Sequence, residues 1–378
     1  MRIAYLSTDP GVPYGARKGA SVHVAELIDA LAGEGARVLA LVSGVASDAG
    51  PPAPGATVER LPGPGKGSSV SERLAAEAER TDWIERRLAR FGADALYERL
   101  ALHSAAGSHA AARLGIPHLV ELNAPLVHEA RRYRGLEELD AAARLERAVL
   151  SDAGLVLAVS RPLASHALRH GARRVELFPN AVAIERYPRR QRRRPDPVAV
   201  FTGRVRPWHG IETVAAAWRL LGDAAPALVV AGDPGEAREL LEEIGAALLG
   251  PIPHCQIPAV LAEADIGLAP YARDAPDYFS PLKLFEYMAA GLAVVAGEIP
   301  ATRELVTAEH AVLVPRGDPE ALAAAVAGLA VDARGRERLG RAARTLVANG
   351  HTWRHRARRV IEHVARPAGA LTREVVGT

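Results

Sequence analysis

The residues best placed to do chemistry lie in DYFSPLKLFEYMAAG, positions 277–291, which follows an apolar run and opens a helical pattern. Ser280 suits the N-cap of that helix, and Pro281 suits its first position, where a missing N–H costs nothing. The free backbone N–H groups of Leu282 and Lys283 would then point out of the helix, beside the positive end of its dipole and the Lys283 ammonium. This pattern predicts a diphosphate site.

Glu286 follows about one and a half helical turns after this start. A carboxylate at that position can accept hydrogen bonds from both hydroxyls of a ribose, so the stretch is typical of nucleotide binding. An ordinary capped helix is the alternative, because every fold with strand-to-helix turns contains several such sequences.

A second candidate is FTGRVRPWHGIETV, positions 201–214. Gly203 and Arg204 follow an apolar run, and His209 with Gly210 opens the next helical pattern. Ligands of parallel α/β folds bind at the carboxyl ends of the strands, so Arg204 would face the cleft and neutralise charge on a departing diphosphate. A surface arginine on a loop is the alternative.

The N-terminal loop DPGVPYGARKGASVHV, positions 9–24, contains Gly15 and Gly19, which let the backbone approach a phosphate or sugar closely. It does not contain G-x-G-x-x-G, and no acidic residue ends the next strand pattern, so a nicotinamide cofactor is disfavoured. The Gly- and Pro-rich stretch 50–69 predicts one loop. Its GKGSS lacks the hydroxyl residue directly after Lys that a phosphate-binding loop requires.

These candidates must be positioned by apolar runs that alternate with amphipathic stretches, a pattern that predicts parallel sheets covered by helices on both faces. The runs are 3–6, 36–42, 95–97, 118–122, 155–159 and 175–178, then 198–203, 227–232, 246–250, 266–271, 292–297 and 311–315. A chain of 378 residues favours two domains. We expect two Rossmann-like lobes, 1–183 with a returning C-terminal helix at about 352–378, and 184–351.

Composition is that of an ordinary globular protein, with 49% hydrophobic and 24% charged residues and a formal net charge of +3. The single cysteine, Cys255, excludes an intramolecular disulfide and is expected to be a small packing residue. No apolar run approaches the length of a membrane-spanning helix, and the start shows no signal-peptide pattern. We expect a cytoplasmic protein, as a monomer or a homodimer.

Basic residues cluster in RRQRRR, positions 189–194, and in WRHRARR, positions 353–359. A solvated surface between the domains is the favoured interpretation. Peripheral contact with anionic membrane lipid is the alternative. Nucleic acid is disfavoured as a partner, because no aromatic residues interleave the arginines of the first cluster and no known binding module surrounds either one.

Several landmarks occur in register along nearly the whole chain, after the glycine loop near Gly19. They are VSRPLASHAL, FPNAVAIERY (178–187), TGRVRPWHG, LLGPIPHCQIPAVLAEADIGLAPY (248–271), SPLKLFEYMAAGLAVVAGEIP and LVPRGDPEALA. With these the chain resembles the retaining GT-B glycosyltransferases of family 4. The resemblance implies a GT-B fold of two facing Rossmann-like, doubly wound parallel-sheet domains.

The resemblance also implies a function. The second lobe would hold a nucleotide-diphosphate sugar, the first lobe would hold the acceptor, and transfer would retain the anomeric configuration. Members of the family need no metal, because helix N-termini and cations stabilise the leaving diphosphate. By position, Glu286 would bind the ribose, while Ile252 and its neighbours would frame the base. Leu282, Lys283 and Arg204 would bind the diphosphate, with Gly19 and Ala20 approaching it from across the cleft.

The chain departs from the family pattern at three positions. Tyr278, next to Asp277, stands where a Glu usually precedes the ribose-binding Glu by eight residues. His209 replaces the Lys of a Lys-Gly pair, and we hypothesise that Lys283 supplies the missing charge.

The third departure is in the first lobe, where Asn123 stands at the place of a histidine. Asn123 could still donate to the sugar, and Glu121 or His128 could assist the acceptor. HEARR at His128 lacks the second His of a zinc site. In a front-face retaining mechanism the leaving phosphate can take the acceptor proton, so no strong general base is required.

We therefore expect a retaining, metal-independent hexosyl- or other glycosyltransferase with no cofactor beyond its nucleotide-sugar donor. The acceptor is open among small molecules, lipids and glycans. The alternatives are a sugar-nucleotide epimerase of GT-B-like fold and a non-catalytic two-lobed sugar-binding protein. The expected catalytic residues are Arg204, Lys283, Asn123 and His128, and the expected donor-binding residues are Gly19, Ala20, Gly203, His209, Ile252, Asp277, Ser280, Pro281, Leu282 and Glu286.

Overall fold

Two parallel β-sheets form the centres of the two lobes in a computed structural model that describes residues 1–65, 67–135, 139–188 and 196–365. The first sheet has seven strands in the order β3-β2-β1-β4-β5-β6-β7. The strands are β1 (Arg2–Ser7), β2 (Arg37–Val42), β3 (Ala56–Arg60), β4 (Ala95–Arg99), β5 (His118–Leu122), β6 (Leu155–Ala158) and β7 (Val175–Leu177). Its helices are α1 (Gly19–Gly33), α2 (Val70–Ala75), α3 (Glu77–Phe91), α4 (Ala106–Leu114), α5 (Leu126–Arg134), α6 (Asp140–Asp152) and α7 (Arg161–Arg169).

The second sheet has six strands in the order β10-β9-β8-β11-β12-β13. The strands are β8 (Val198–Thr202), β9 (Ala227–Ala231), β10 (Ala247–Gly250), β11 (Ile266–Ala269), β12 (Ala293–Gly297) and β13 (Ala311–Val314). The helices are α8 (Ile211–Leu221), α9 (Arg238–Glu243), α10 (Ile257–Ala262), α11 (Leu282–Ala290), α12 (Pro300–Leu305), α13 (Pro319–Val331), α14 (Ala333–Gly350) and α15 (Trp353–Ala365). The predicted pair of doubly wound parallel sheets is confirmed.

Strand order reverses beside the first strand of each lobe. In the first sheet Ile3 of β1 pairs with Val38 of β2 on one side and with Ala95 of β4 on the other. In the second sheet Ala199 of β8 likewise lies between β9 and β11. Connections leave such a point in opposite directions, which opens a crevice at the carboxyl ends of the strands. The loops after β1 and β8 therefore lead into the two crevices.

One strand was not expected. Residues 50–69 are predicted as a single loop, but 56–60 form the edge strand β3, with Ala56 paired to Val38 of β2. The strand is only partly buried, so its sequence lacks the continuous apolar run that marks the central strands. Lys66 of the GKGSS stretch lies outside the described residues.

The lobes are joined by two chain crossings that lie side by side. The Val182 N–H donates to the His351 carbonyl at 3.1 Å, and the Trp353 N–H donates to the Val182 carbonyl at 3.3 Å. After the second crossing α15 packs on α1, where Trp353 and Val360 belong to the apolar core of the first lobe. Residues 366–378 of the predicted returning segment lie outside the described residues.

Charged groups on α15 are engaged within the protein. Arg354 and Arg358 both pair with Glu34 at the end of α1, at 2.9 and 2.6 Å. Arg356 is buried and donates to the Pro179 carbonyl at 2.6 Å. This basic cluster thus attaches α15 to the first lobe, whereas the cluster at 189–194 lies outside the described residues.

Candidate functional site

The N-terminal ends of two helices meet across the cleft. Gly19 is the first residue of α1 and Leu282 is the first residue of α11. A Cβ atom added to Gly19 would lie 3.3 Å from Leu282 Cδ1, so a larger residue there would press on the opposite lobe. Each helix brings the positive end of its dipole to this point. The structure therefore brings together Gly19, Ala20 and Leu282, as a site for an anion requires.

The start of α11 differs from the expected one in a detail. Pro281 is the residue before the helix, not its first residue, and Ser280 does not cap the helix with its side chain. The Ser280 Oγ instead accepts a hydrogen bond from the Asn180 N–H at 2.9 Å. The predicted N-cap role of Ser280 and the predicted first-turn position of Pro281 are wrong by one residue, because Ser280 bonds to the crossing segment.

Lys283 carries a buried ammonium. Its Nζ is buried and has no hydrogen-bond partner among the described residues, although the residue as a whole is partly exposed. The Nζ lies 3.6 Å from the centre of the Phe201 ring, a cation–π contact. Burial lowers the pKa of Lys283 to about 7, against the opposing effect of the Glu286 carboxylate. An anion bound beside Nζ would offset the cost of this burial.

His209 lies beside this lysine as a neutral group. Burial, helped by the Lys283 and Arg206 cations, lowers the pKa of His209 to about 2. Its ring meets the Phe201 ring edge-on, with centroids 5.5 Å apart. A neutral imidazole supplies no positive charge, so the positive charge next to it comes from Lys283 and Arg206.

Arg204 is a mostly exposed cation on the loop after β8. Its side chain is 60% exposed and pairs with Asp233 at 3.1 Å. Gly203 has a φ of 96°, and a Cβ at Gly232 would lie 2.2 Å from the Gly203 carbonyl oxygen. The loops after β8 and β9 therefore pack backbone against backbone, and Arg204 remains free to turn towards an anion at the cost of a solvent-exposed ion pair.

Glu286 is buried in a cluster that sequence reasoning missed. Its Oε1 lies 2.6 Å from Nε2 of His254. Burial would lower the pKa of His254, but the hydrogen bond and negative charge of Glu286 raise it above its usual value. Burial, with the charges of Glu286 and Glu26, also raises the pKa of Tyr187.

The same cluster includes a carboxylate from the opposite lobe. Glu26 of α1 pairs with Arg186, from the segment that joins the lobes. Burial raises the pKa of Glu26 to about 7, although Arg186 and His254 oppose this. No sequence signal joins residues so far apart in the chain; only the fold brings Glu26 of α1 near His254, in the turn that precedes α10.

The first lobe contributes a second buried carboxylate, Glu121, at the end of β5. Its oxygens contact Tyr97, Arg99 at 3.0 Å, His23 at 2.9 Å and the Asn123 amide. Burial alone would raise the pKa of Glu121, but His23, Arg99 and the Tyr97 hydroxyl outweigh it and lower the pKa to about 2. The hydrogen bond from the Asn123 amide to Glu121 thus fixes the orientation of the Asn123 side chain.

His23 links this carboxylate to the second lobe. The imidazole Nδ1 lies 2.7 Å from the Asn180 Oδ1, while the Asn180 amide donates to the Ser280 carbonyl. A continuous chain of polar contacts therefore runs from Glu121 to the residues that precede α11. Sequence reasoning missed His23 and Asn180, because neither stands at a strand end.

Three side chains of α5 cross the cleft: Glu129 and, about one turn later, the adjacent Arg132 and Tyr133. Glu129 Oε1 accepts a hydrogen bond from the Tyr278 hydroxyl at 2.7 Å. Tyr133 packs on Trp208, with ring centroids 5.4 Å apart. The third contact is an exposed ion pair of 3.8 Å between Arg132 and Asp274. We call this set the α5 clasp.

The remaining predicted residues are more dispersed. His128 is exposed on α5 and makes no contact with Asn123 among the described residues. Asp277 pairs with Arg316 at 2.9 Å instead of facing the Lys283 ammonium. Ile252 packs against the core of the second lobe, two residues before His254. Cys255 is exposed, so its predicted packing role is wrong; its neighbour His254 takes the inward position.

No described helix is both long enough and apolar enough to cross a membrane.

Comparison with known proteins gives the family. A family model for a glycosyl transferase 4-like domain matches residues 18–181, and one for glycosyl transferases group 1 matches residues 196–332. No curated protein sequence matches the chain.

Solved structures match almost the whole chain in fold. Sucrose-phosphate synthase from Thermosynechococcus elongatus has a TM-score of 0.74 at 19% identity, covering 96% of this chain and 98% of its own. Anabaena HepE in complex with UDP and glucose has a TM-score of 0.70 at 16% identity, covering 97% and 99%. WaaG, a glycosyltransferase involved in lipopolysaccharide biosynthesis, has a TM-score of 0.68 at 14% identity, covering 96% and 99%. With a glycosyltransferase model on each lobe and this shared fold, the chain belongs to the GT-B glycosyltransferases.

Proposed function

We propose that this glycosyltransferase is retaining and metal-independent, and that it transfers a sugar from a nucleotide-diphosphate donor bound between the lobes. The observation that carries the proposal is the Lys283 ammonium at the start of α11, opposite the start of α1, which has no hydrogen-bond partner among the described residues. A buried cation without a hydrogen-bonded counter-charge is costly unless a ligand supplies one. A diphosphate supplies two negative charges at that point.

Glu286 orients the donor in this proposal. Its Oε1 is held by His254 at 2.6 Å, and the carboxylate fixed in this way would accept hydrogen bonds from the ribose hydroxyls. The HepE structure contains UDP and glucose, so UDP-sugars are the first donors to test. We further propose a cytoplasmic enzyme, since a single cysteine suits a reducing compartment.

The transfer step breaks the bond between the sugar C1 and the diphosphate oxygen and forms a bond from C1 to the acceptor oxygen. Negative charge develops on the departing diphosphate, where Lys283, Arg204 and the two helix N-termini stabilise it. The acceptor proton passes to the leaving phosphate oxygen. The Asn123 amide, held by Glu121, would position the transferred sugar or the acceptor from the first lobe.

The first experiment is a thermal-shift screen against UDP-, GDP-, ADP- and dTDP-sugars, followed by calorimetry on the best. We expect one of them to raise the melting temperature of the wild type, since a ligand that binds only the native state stabilises it. No response to any nucleotide sugar would contradict the proposal.

The second experiment separates transfer from the alternatives. A transferase releases nucleoside diphosphate faster when an acceptor is supplied, whereas an epimerase converts the donor without one. Nuclear magnetic resonance of the product then reports the anomeric configuration. An inverted product would refute the retaining mechanism, and unchanged turnover after treatment with a chelator is expected if no metal takes part.

A further inference from the structure

A cluster of ligand-type side chains lies away from the cleft, between α6 and α7. Glu146 comes from α6, His166 from α7, and His170 directly follows α7. One potential ligand atom from each of the three lies within 4.8 Å of the others. The two histidines are one helical turn apart and so share a face.

The hydrogen bonds around the cluster leave the Nε2 atom of His170 available as a metal ligand. His170 Nδ1 lies 2.8 Å from the His166 backbone carbonyl, which can only accept, so the proton is on Nδ1 and Nε2 presents its lone pair. Metal-binding histidines are commonly oriented in this way by a backbone carbonyl. His166 Nε2 lies 2.7 Å from Glu146 Oε1, so a cation would take the place of the proton between these two atoms, and the neutral ring would carry its one proton on Nδ1.

Burial of the Glu146 carboxylate favours a cation bound beside it. The Glu146 side chain is 4% exposed and the His166 side chain is 16% exposed. The other Glu146 oxygen accepts from the Val127 N–H at 3.4 Å, which fixes the carboxylate against the first turn of α5. Zinc binds histidine in its neutral form, so this set of ligands would bring one negative charge, from Glu146, which a divalent cation would compensate.

From this geometry we propose that Glu146, His166 and His170 bind one zinc ion, with water at the remaining position. Zinc takes nitrogen and oxygen ligands at about 2.0–2.2 Å, which places such ligand atoms roughly 3.3 Å from one another. The His166 and His170 rings are stacked, with centroids 4.0 Å apart, so binding would turn them until both Nε2 lone pairs point at the ion. The ion would join α6 to α7; it takes no part in sugar transfer, and the inference is independent of the proposed function.

Sequence reasoning assigned no metal ligands. It tested only the HEARR motif at His128, whereas the cluster combines a His-x-x-x-His pair with a glutamate twenty positions earlier. The spacing of the two histidines was the one signal available, and it is common on helices that bind nothing.

The test is calorimetry with Zn²⁺ on the full chain after treatment with a chelator. We expect one equivalent to bind the wild type, and His170→Ala to weaken binding at least about tenfold. His170 is partly exposed and bonds only to the carbonyl of its own helix, so this variant should keep the fold, which circular dichroism checks. His109→Ala removes an exposed histidine of α4 and should bind like the wild type.

His170→Ala also separates zinc binding from a simple hydrogen-bonded pair, because Glu146 and His166 keep their bond without it. Equal affinity of wild type and His170→Ala, or no stoichiometric binding, would overturn the proposal. Co²⁺ gives a second measurement by its visible absorption. A thiolate charge-transfer band would place the ion at Cys255 and would equally overturn it.

Discussion

Lys283 combines burial, a cation–π contact and the absence of a hydrogen-bond partner among the described residues. If it stabilises the leaving diphosphate, Lys283→Ala should lower kcat/KM about 100-fold or more, as loss of one electrostatic group does elsewhere. The melting temperature should not fall, because the variant removes a buried charge that has no hydrogen-bond partner among the described residues. Arg238→Ala, at an exposed i,i+4 ion pair, is the control and should leave both quantities unchanged. Near-normal turnover in Lys283→Ala would refute the role.

The lowered pKa of Lys283 predicts a pH effect on donor binding. Because the pKa is about 7 without ligand, the ammonium loses its proton above that pH, and binding a diphosphate must then take up a proton. Affinity for the nucleotide sugar should therefore fall as pH rises above about 7. Lys283→Ala keeps Glu26, His254 and Glu286, so it should bind more weakly but without this slope. Calorimetry across pH 6 to 9 measures both.

His254 is expected to act by positioning Glu286. His254→Ala leaves the carboxylate without its buried partner, so affinity for the nucleotide sugar should fall about tenfold, equivalent to one buried hydrogen bond to a charged group. KM should rise more than kcat falls, because the ribose does not take part in the bond exchange. His254→Gln can still donate and should recover part of the loss. A change in kcat alone would argue against a positioning role.

At the scale of single residues, the sequence pointed to the start of α11 because its chemistry is local: Lys283 and Glu286 are three positions apart on one helix. It could not point to His254 or Glu26, since the contact of His254 with Glu286 and the position of Glu26 near His254 depend on packing between elements. It also misplaced Ser280 by one residue, because the Oγ bonds to Asn180 of the crossing segment, and local capping preference contains no information on that contact.

At the scale of elements, the α5 clasp holds one helix of the first lobe against the second. Tyr278→Phe removes only the hydroxyl that donates to Glu129. We expect faster amide hydrogen exchange across α5, with little change in melting temperature, because the local bond is lost while the ring still packs. Tyr133→Phe is the matched control, since its hydroxyl has no hydrogen bond among the described residues. Equal exchange in both variants would show that the hydroxyl does not hold the helix.

Strands could be predicted from the sequence where nearly every residue of the strand is buried. The central strands β1, β8 and β12 are apolar along nearly their whole length, because helices cover both faces of the sheet. The edge strand β3 was missed, since one side is exposed and its sequence ATVER mixes charge with apolar residues. The hydrophobic pattern of the sequence thus predicted the interior strands of a sheet better than its edge strand.

At the scale of the whole molecule, α15 ties the end of the described chain to the lobe where the chain begins. Trp353 is 3% exposed and meets the His23 ring at a centroid distance of 4.7 Å. Trp353→Ala should lower the free energy of unfolding of the first lobe by about 3 kcal/mol or more, through the cavity it leaves. Amide hydrogen exchange, measured separately for each lobe, reports this loss of stability. We expect α1 and α15 to lose protection while β8 and β12 do not, and uniform loss across both lobes would contradict a local effect.

The pairing of Val182 with His351 and Trp353 has a consequence for turnover. Two covalent links bonded to each other favour rotation of the lobes about that point over sliding of one past the other. If a nucleotide sugar binds between the lobes as proposed, donor entry and product departure would both use that rotation. If the chemical step is fast, the rate of this rotation of the lobes limits the number of sugars transferred per second.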